Sequence, residues 1–260
     1  MSFPTNSKES YWNRQWFEAD PLTNHPLSAE LLQLVHDFQL DQGETLEIGC
    51  GLGGLSRLFT AYTGTDLAEA CRSAIRDQGH FVCCSAERLL LPDDAFDFVF
   101  SIYTLEHVPN VNAALSEIRR VARPGAIVWL KPAWFCRPWQ GQVWYHKAKS
   151  ECTFVERLLK YCVPVRNSLP YRFFDLLQWR LRGQLRRLAT RGSVAVDFRC
   201  RRLEANFDLP NVVDADAECW LDPLDMIHWF VDRGDKCISH GRFWQRWTKT
   251  SAAIMVRIVK

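Results

Sequence analysis

Between residues 44 and 130 the apolar residues fall into short runs, separated by glycine, proline or stretches of helical spacing. Glu44 to Cys50 reads as a short strand, followed by glycines and a helix from Leu55 to Ala61. Tyr62 to Asp66 predicts a second strand, Leu67 to Asp77 a second helix and His80 to Ala86 a third strand. Phe96 to Tyr103 is almost continuously apolar, as expected of a strand covered on both faces. Val111, Leu115, Ile118, Val121 and Ala122 recur at helical spacing, Pro124 and Gly125 stop that helix, and Ala126 to Leu130 follows as a fifth strand. This alternation predicts an α/β fold with a mostly parallel sheet and helices on both faces.

The flanks carry other textures. Residues 1–40 form an aromatic-rich helical arm, with Trp12 and Trp16 at i, i+4 spacing and a helix from Ser28 to Phe38 capped by Ser28. Residues 41–134 are the alternating core. Residues 135–221 read as an insertion after the fifth strand, rich in Trp and Arg. Residues 222–260 complete the sheet: Asp222 caps a helix from Pro223 to Arg233, Gly234 ends it, and strands follow at Cys237 to Ser239 and Ala252 to Val259.

Composition narrows the class. Nearly half of the 260 residues are hydrophobic and the net charge is +2, which describes a globular chain without a global attraction to nucleic acid or anionic membranes. No apolar run reaches the roughly 18 residues a membrane helix needs, and the first residues lack a secretory signal, so a cytoplasmic protein is expected. The ten cysteines are scattered and form no CxxC pair. They read as reduced, mostly buried thiols, and no metal site is expected.

The glycines after the first strand carry the chemistry. Gly49, Gly51 and Gly54 satisfy G-x-G-x-x-G, which suits a nucleotide-like ligand at the carboxyl ends of strands but does not choose between a nicotinamide cofactor and S-adenosylmethionine. Glu47, two residues before the first glycine, together with Ala86, Glu87 and the LLLPDDAFDFVFS stretch beyond them, favours S-adenosylmethionine; Asp66, ending the second strand, fits either. The segments EIGCGLGG, TDLAEA, SAERLLLPDDAFDFVFSIYTLEHV and ALSEIRRVARPG together resemble the class I S-adenosylmethionine-dependent methyltransferases, of the UbiE/UbiG-like (methyltransferase type 11) subgroup. The resemblance spans about residues 40–134. It implies a Rossmann-like, seven-stranded, mostly parallel sheet with an insertion lid after strand 5. It also implies that Glu47 and the backbone near Gly49, Cys50, Gly51 and Gly53 hold the methionine end of the cofactor. Asp66, with Leu67 beside it, would bind the ribose; Ala86 and Glu87 would flank the adenine; Ser101 and Tyr103 would line the methyl-transfer face.

Methyl transfer from a sulfonium is mainly a matter of alignment, with a base needed for a hydroxyl acceptor. His107, in TLEHV, and His146, in WYHK, are the candidate bases; His228 keeps helical spacing with Leu224 and Val231 and reads as packing. The insertion predicts helices at Thr153 to Tyr161 and Phe173 to Leu188, the latter burying Phe174, Leu177, Leu181, Leu185 and Leu188 with its arginines in solvent. Trp134, Trp139 and Trp144 suit lid packing or stacking on a sugar. The expected acceptor is a small molecule, anionic or saccharide, methylated on O or N. An RNA acceptor on the Arg-rich insertion and a non-catalytic cofactor-binding scaffold are the alternatives.

Overall fold

The computed structural model describes residues 26–75, 79–137, 139–189, 196, 198–200 and 215–260. Trp12 and Trp16 lie outside these residues.

Seven strands form one sheet in the order β3-β2-β1-β4-β5-β7-β6. They are β1 (Glu44–Ile48), β2 (Ala61–Asp66), β3 (His80–Cys83), β4 (Phe96–Ile102), β5 (Ala122–Lys131), β6 (Lys236–Cys237) and β7 (Ile254–Arg257). The first five are parallel, while β7 runs antiparallel to both β5 and β6. This is the expected seven-stranded, mostly parallel α/β sheet. Its two-residue periodicity divides the core. Phe98, Phe100, Ile127 and Trp129 face one side, where Leu31 and Val35 of α1 (Pro26–Phe38) cover them. Val99, Val128 and Leu130 face the other, under α3 (Val111–Val121) and α7 (Pro223–Val231). Between α1 and α3 the one α-helical stretch among the described residues is the single turn α2 (Arg72–Ile75).

The helix α3 shows why the pattern was readable. Val111, Ala114, Leu115, Ile118 and Val121 are buried at i, i+3, i+4 and i+7 spacing. The Asn110 side chain accepts from the Ala113 N–H at 3.2 Å, capping the first turn. Each large apolar side chain so buried contributes about 1.5–3 kcal/mol. The helix α7 behaves alike: Asp222 is its N-cap and Pro223 its first residue.

Five expectations need correction, the last of them for a helix of the insertion. The helix expected from Leu55 to Ala61 is one 3₁₀ turn, Ser56–Leu58, and Phe59 is already extended. Glu44 pairs with Ala61, so the connection from Ile48 must travel back the whole length of β1. The return is made instead through turns and the extended Phe59, and the Thr60 N–H donates to the Asp41 carbonyl at 3.0 Å before β2 begins. The helix expected from Leu67 likewise shrinks to a 3₁₀ turn, Glu69–Cys71, and α2. Ser28 is not a cap, because the helix Pro26–Phe38 already includes Pro26 and Leu27. Cys200 and Cys219 form a disulfide where reduced thiols were expected. The bridge between Arg199 and Trp220 sets these two cysteines side by side.

The insertion contains α4 (Val143–His146), α5 (Phe154–Asn167) and α6 (Leu169–Ala189), and α8 (Phe243–Thr248) precedes β7. Thr153 caps α5 in a reciprocal arrangement with Glu156. The orientation expected for α6 is inverted. Phe174, Leu181, Leu185 and Leu188 are exposed, Leu177 is half-buried, and Arg180 is buried at 3% exposure. The reason is a buried ion pair: both carboxylate oxygens of Asp222 accept from the Arg180 guanidinium at 2.7 Å. That fork draws the Arg180 side of α6 inward and leaves its leucine stripe outward, while Arg172, Arg182 and Arg186 stay exposed as expected.

Candidate functional site

In an open α/β sheet, ligands bind beyond the carboxyl ends of the strands where the strand order reverses. Here that point lies between β1 and β4, and the glycine loop occupies it. Gly49, Gly51 and Gly53 all hold left-handed backbone, with φ of 72°, 48° and 65°. They serve different ends. A Cβ on Gly49 would lie 2.0 Å from Oγ1 of Thr104, and one on Gly53 would lie 2.5 Å from Ile75. A Cβ on Gly51 would meet nothing within 4 Å. Gly49 and Gly53 therefore close the loop against the protein, and Gly51 leaves its outer side open to a ligand.

The loop is fastened from below. Gly49 and Cys50 donate their N–H groups to the Thr65 carbonyl at 2.8 and 3.0 Å. Cys50 turns its thiol into the core, where burial pushes its pKa up. Ser101, buried at the end of β4, donates its hydroxyl to the Ile48 carbonyl at 2.9 Å and locks β4 to β1. Glu47 is buried, and its Oε2 accepts from the Tyr62 hydroxyl at 2.5 Å. Burial and this carboxylate push the phenol pKa well up, so Tyr62 remains a donor.

Asp66 links two strand ends. Its Oδ2 accepts from the Gly51 N–H at 3.0 Å and its Oδ1 from the Ala68 N–H at 2.9 Å. A carboxylate offers about four lone-pair sites, so acceptor capacity remains for a pair of hydroxyls. Burial raises its pKa, against the pull of the Ala68, Gly51 and Leu67 amides. Leu67 is exposed beside it. At the end of β3, Ala86 is buried, while Glu87 accepts from the Asn110 N–H at 2.7 Å and so fastens the start of α3. The open side of Gly51, the spare acceptor sites of Asp66 and the apolar Leu67 fit a ligand with a ribose at this edge. The parallel topology brings the strand-end residues proposed for the cofactor to one edge of the sheet.

Next to this edge, at the ends of β4 and β5, is a cavity of about 970 Å³. Tyr103, in left-handed backbone at φ 50°, and Lys131 form its floor, with Trp134, Trp139, Trp220 and Trp247 among its walls. Burial lowers the Lys131 pKa. The far wall belongs to the insertion and is basic. Arg180 is committed to Asp222, and Arg199 reaches Asp175 at 2.9 Å while lying 4.0 and 4.1 Å over the rings of Trp179 and Trp220. Arg137, Arg166 and Arg172 also line the cavity and make no ion pair among the described residues.

Neither candidate base lines that cavity. His107 sits in the 3₁₀ turn after β4, with Nδ1 3.3 Å from Asp216 and Nε2 3.7 Å from Glu106, and both carboxylates are buried. The exposed His146 has Nε2 2.7 Å from the Gln140 carbonyl. His228 packs in α7 as expected, its pKa pushed down to about 3 by burial and by Arg187, Arg246 and Arg180. Sequence reasoning missed Lys131 and Thr104. The first had a signal: a lysine interrupting an apolar strand at its carboxyl end.

Comparison with known proteins agrees with this geometry. Residues 46–130 match the family model for a methyltransferase domain. The ubiquinone/menaquinone biosynthesis C-methyltransferase UbiE of Burkholderia mallei is 32% identical over 127 residues, covering 41% of this chain and 52% of that protein. The sterol 24-C-methyltransferase ERG6B of Gibberella zeae is 30% identical over 109 residues, covering 36% of this chain and 29% of that protein. The chain thus spans between about a third and a half of the length of these curated relatives. Among solved structures, an S-adenosylmethionine-dependent methyltransferase from Mesorhizobium loti aligns with a TM-score of 0.40 at 19% identity, over 45% of this chain and 58% of that one. The glycine loop and the strand-end carboxylate both lie within residues 46–130, and this segment is similar in sequence to the S-adenosylmethionine-dependent methyltransferases.

Proposed function

We propose that this chain methylates oxygen or nitrogen on an anionic small molecule held in the cavity between Tyr103 and α6. The observation that carries this reading is the wall formed by Arg137, Arg166 and Arg172, facing the ends of β4 and β5 beside the glycine loop. Guanidinium groups suit carboxylate and phosphate. Bound S-adenosylmethionine supplies an already activated methyl group, so the protein's work is alignment and exclusion of water. Glu47, Asp66 and the open side of Gly51 hold the donor; the Trp-lined walls dry the cavity, and the arginines fix the acceptor. Tyr103 and Lys131 stand nearest the strand ends and border the acceptor. His107, gripped between Asp216 and Glu106, positions the turn that follows Tyr103.

Two measurements test this. Calorimetry with S-adenosylmethionine and NAD decides the donor, and binding of NAD alone would sink the reading. A methyl-transfer screen of sugar nucleotides, phosphorylated metabolites and their neutral counterparts decides the acceptor class. Arg166→Gln/Arg172→Gln should raise the acceptor KM at least tenfold and leave cofactor affinity unchanged. Equal use of neutral acceptors, or salt-sensitive RNA binding with RNA methylation, would overturn the acceptor assignment.

A further inference from the structure

Two consecutive helices of the insertion turn their apolar sides to solvent. In α5, Phe154, Leu158, Tyr161 and Val165 recur at i, i+4, i+7 and i+11 and are all exposed, Phe154 by 78%. Its inward side carries Glu156, which binds Lys147 at 2.8 Å. In α6, Phe174, Leu181, Leu185 and Leu188 form a second stripe, with Leu188 76% exposed. Only Ser168 separates the helices. No described element covers either stripe. A stripe of this size facing water costs stability unless something covers it.

The flanking charges say what covers it. From residue 154 to residue 189 there are eight Lys and Arg and only two acids, Glu156 and Asp175. Both acids are committed, to Lys147 and Arg199. Arg157 and Arg166 flank the α5 stripe, and Arg182 and Arg186 border that of α6; all four are exposed. An amphipathic helix with an aromatic and aliphatic side edged by arginines matches a bilayer interface, where apolar side chains enter the acyl boundary and guanidiniums reach anionic headgroups. No described helix is long and apolar enough to cross a membrane. We infer that α5 and α6 form a docking face that seats the protein on an anionic lipid surface. Leu169, Tyr171 and Arg172 belong both to this helix pair and to the cavity lining. Resting on the methyl-transfer reading, this places the acceptor among amphiphiles whose anionic head rises from the bilayer into the cavity.

Vesicle binding tests the face without reference to activity. Among the free cysteines, Cys162 of α5 is exposed and accepts an environment-sensitive fluorophore. With full-length protein, vesicles of phosphatidylcholine and phosphatidylglycerol at 3:1 should co-sediment the protein and shift the label's emission to the blue. Pure phosphatidylcholine should bind at least tenfold less. Leu158→Glu and Leu185→Glu, each at an exposed position, should abolish binding with unchanged circular dichroism and cofactor affinity. Arg157→Gln/Arg182→Gln should weaken it about 25-fold, from about fivefold (~1 kcal/mol) for each charge near the surface. No binding to anionic vesicles, or equal binding by the Glu variants, would overturn the inference. So would a light-scattering dimer that Leu185→Glu splits, because the stripe would then belong to a second copy. Loss of methyl transfer with vesicle binding intact would strike the proposed activity and leave the docking face standing.

Discussion

Replacing Asp222 by Ala tests the contact that sets the orientation of the whole insertion. The carboxylate is fully buried, takes both branches of the Arg180 fork at 2.7 Å, and accepts from the Leu224 N–H at 3.0 Å as the N-cap of α7. Its removal leaves a buried guanidinium without its counter-charge, a loss of about 3–5 kcal/mol. The missing cap adds about 1 kcal/mol. In a domain of this size each kcal/mol lowers Tm by roughly 2–4 °C, so a fall of about 10 °C or more is expected. Urea denaturation followed by tryptophan fluorescence measures the free energy directly. The pair Arg180→Met/Asp222→Asn removes both charges and keeps a capping oxygen, so it should recover most of the loss, and against its own two single variants it should show a coupling of at least about 2 kcal/mol. A cost below about 1 kcal/mol for Asp222→Ala, or strict additivity in the double variant, would refute the idea that this pair holds α6 in place.

Two further predictions concern the loop and pH. Gly49→Ala should abolish cofactor binding and lower Tm steeply, because its Cβ would collide with Thr104; Gly51→Ala should weaken binding and cost only the left-handed backbone, on the order of 1–2 kcal/mol, and calorimetry beside thermal melts separates the two. Asp225 is pushed up to about 7, first by burial and then by the charge of Asp222, against the Trp179 hydrogen bond. Its folded value exceeds the unfolded value near 4, so its contribution to stability is complete below about pH 4 and is lost as pH rises through about 7. Asp225→Asn should therefore gain on the wild type across that window, and parallel stability profiles would count against the assignment.

Which parts of this architecture could be read in advance follows from where the determining forces act. The strands β1, β2 and β4 and the helices α3 and α7 were legible because local spacing and caps such as Asn110 and Asp222 agree with their tertiary burial. The strand-end residues Glu47, Asp66 and Tyr103 were legible for the same reason, since topology alone brings them to one edge. The connection after β1 was misread because its apolar residues, Leu55 and Phe59, are buried from the two positions flanking a 3₁₀ turn rather than from a helix. The face of α6 was misread because hydrophobicity alone buries the leucine stripe, and nothing near Arg180 in sequence announces Asp222. Lys131 and the cavity arginines come from distant segments that only the folded chain assembles.

Tyr103 carries a consequence for how this chain could change over time. A non-glycine residue held at φ 50° costs on the order of 1–3 kcal/mol, yet here a bulky ring occupies that backbone at the floor of the cavity. Glycine at this position would relax the backbone and fold more tightly. A library sorted only for thermal tolerance should thus enrich Gly or Asn at position 103, and the survivors should turn over more slowly. Robustness and turnover would then be traded against each other at a single side chain, with the direction of drift set by whichever the environment rewards.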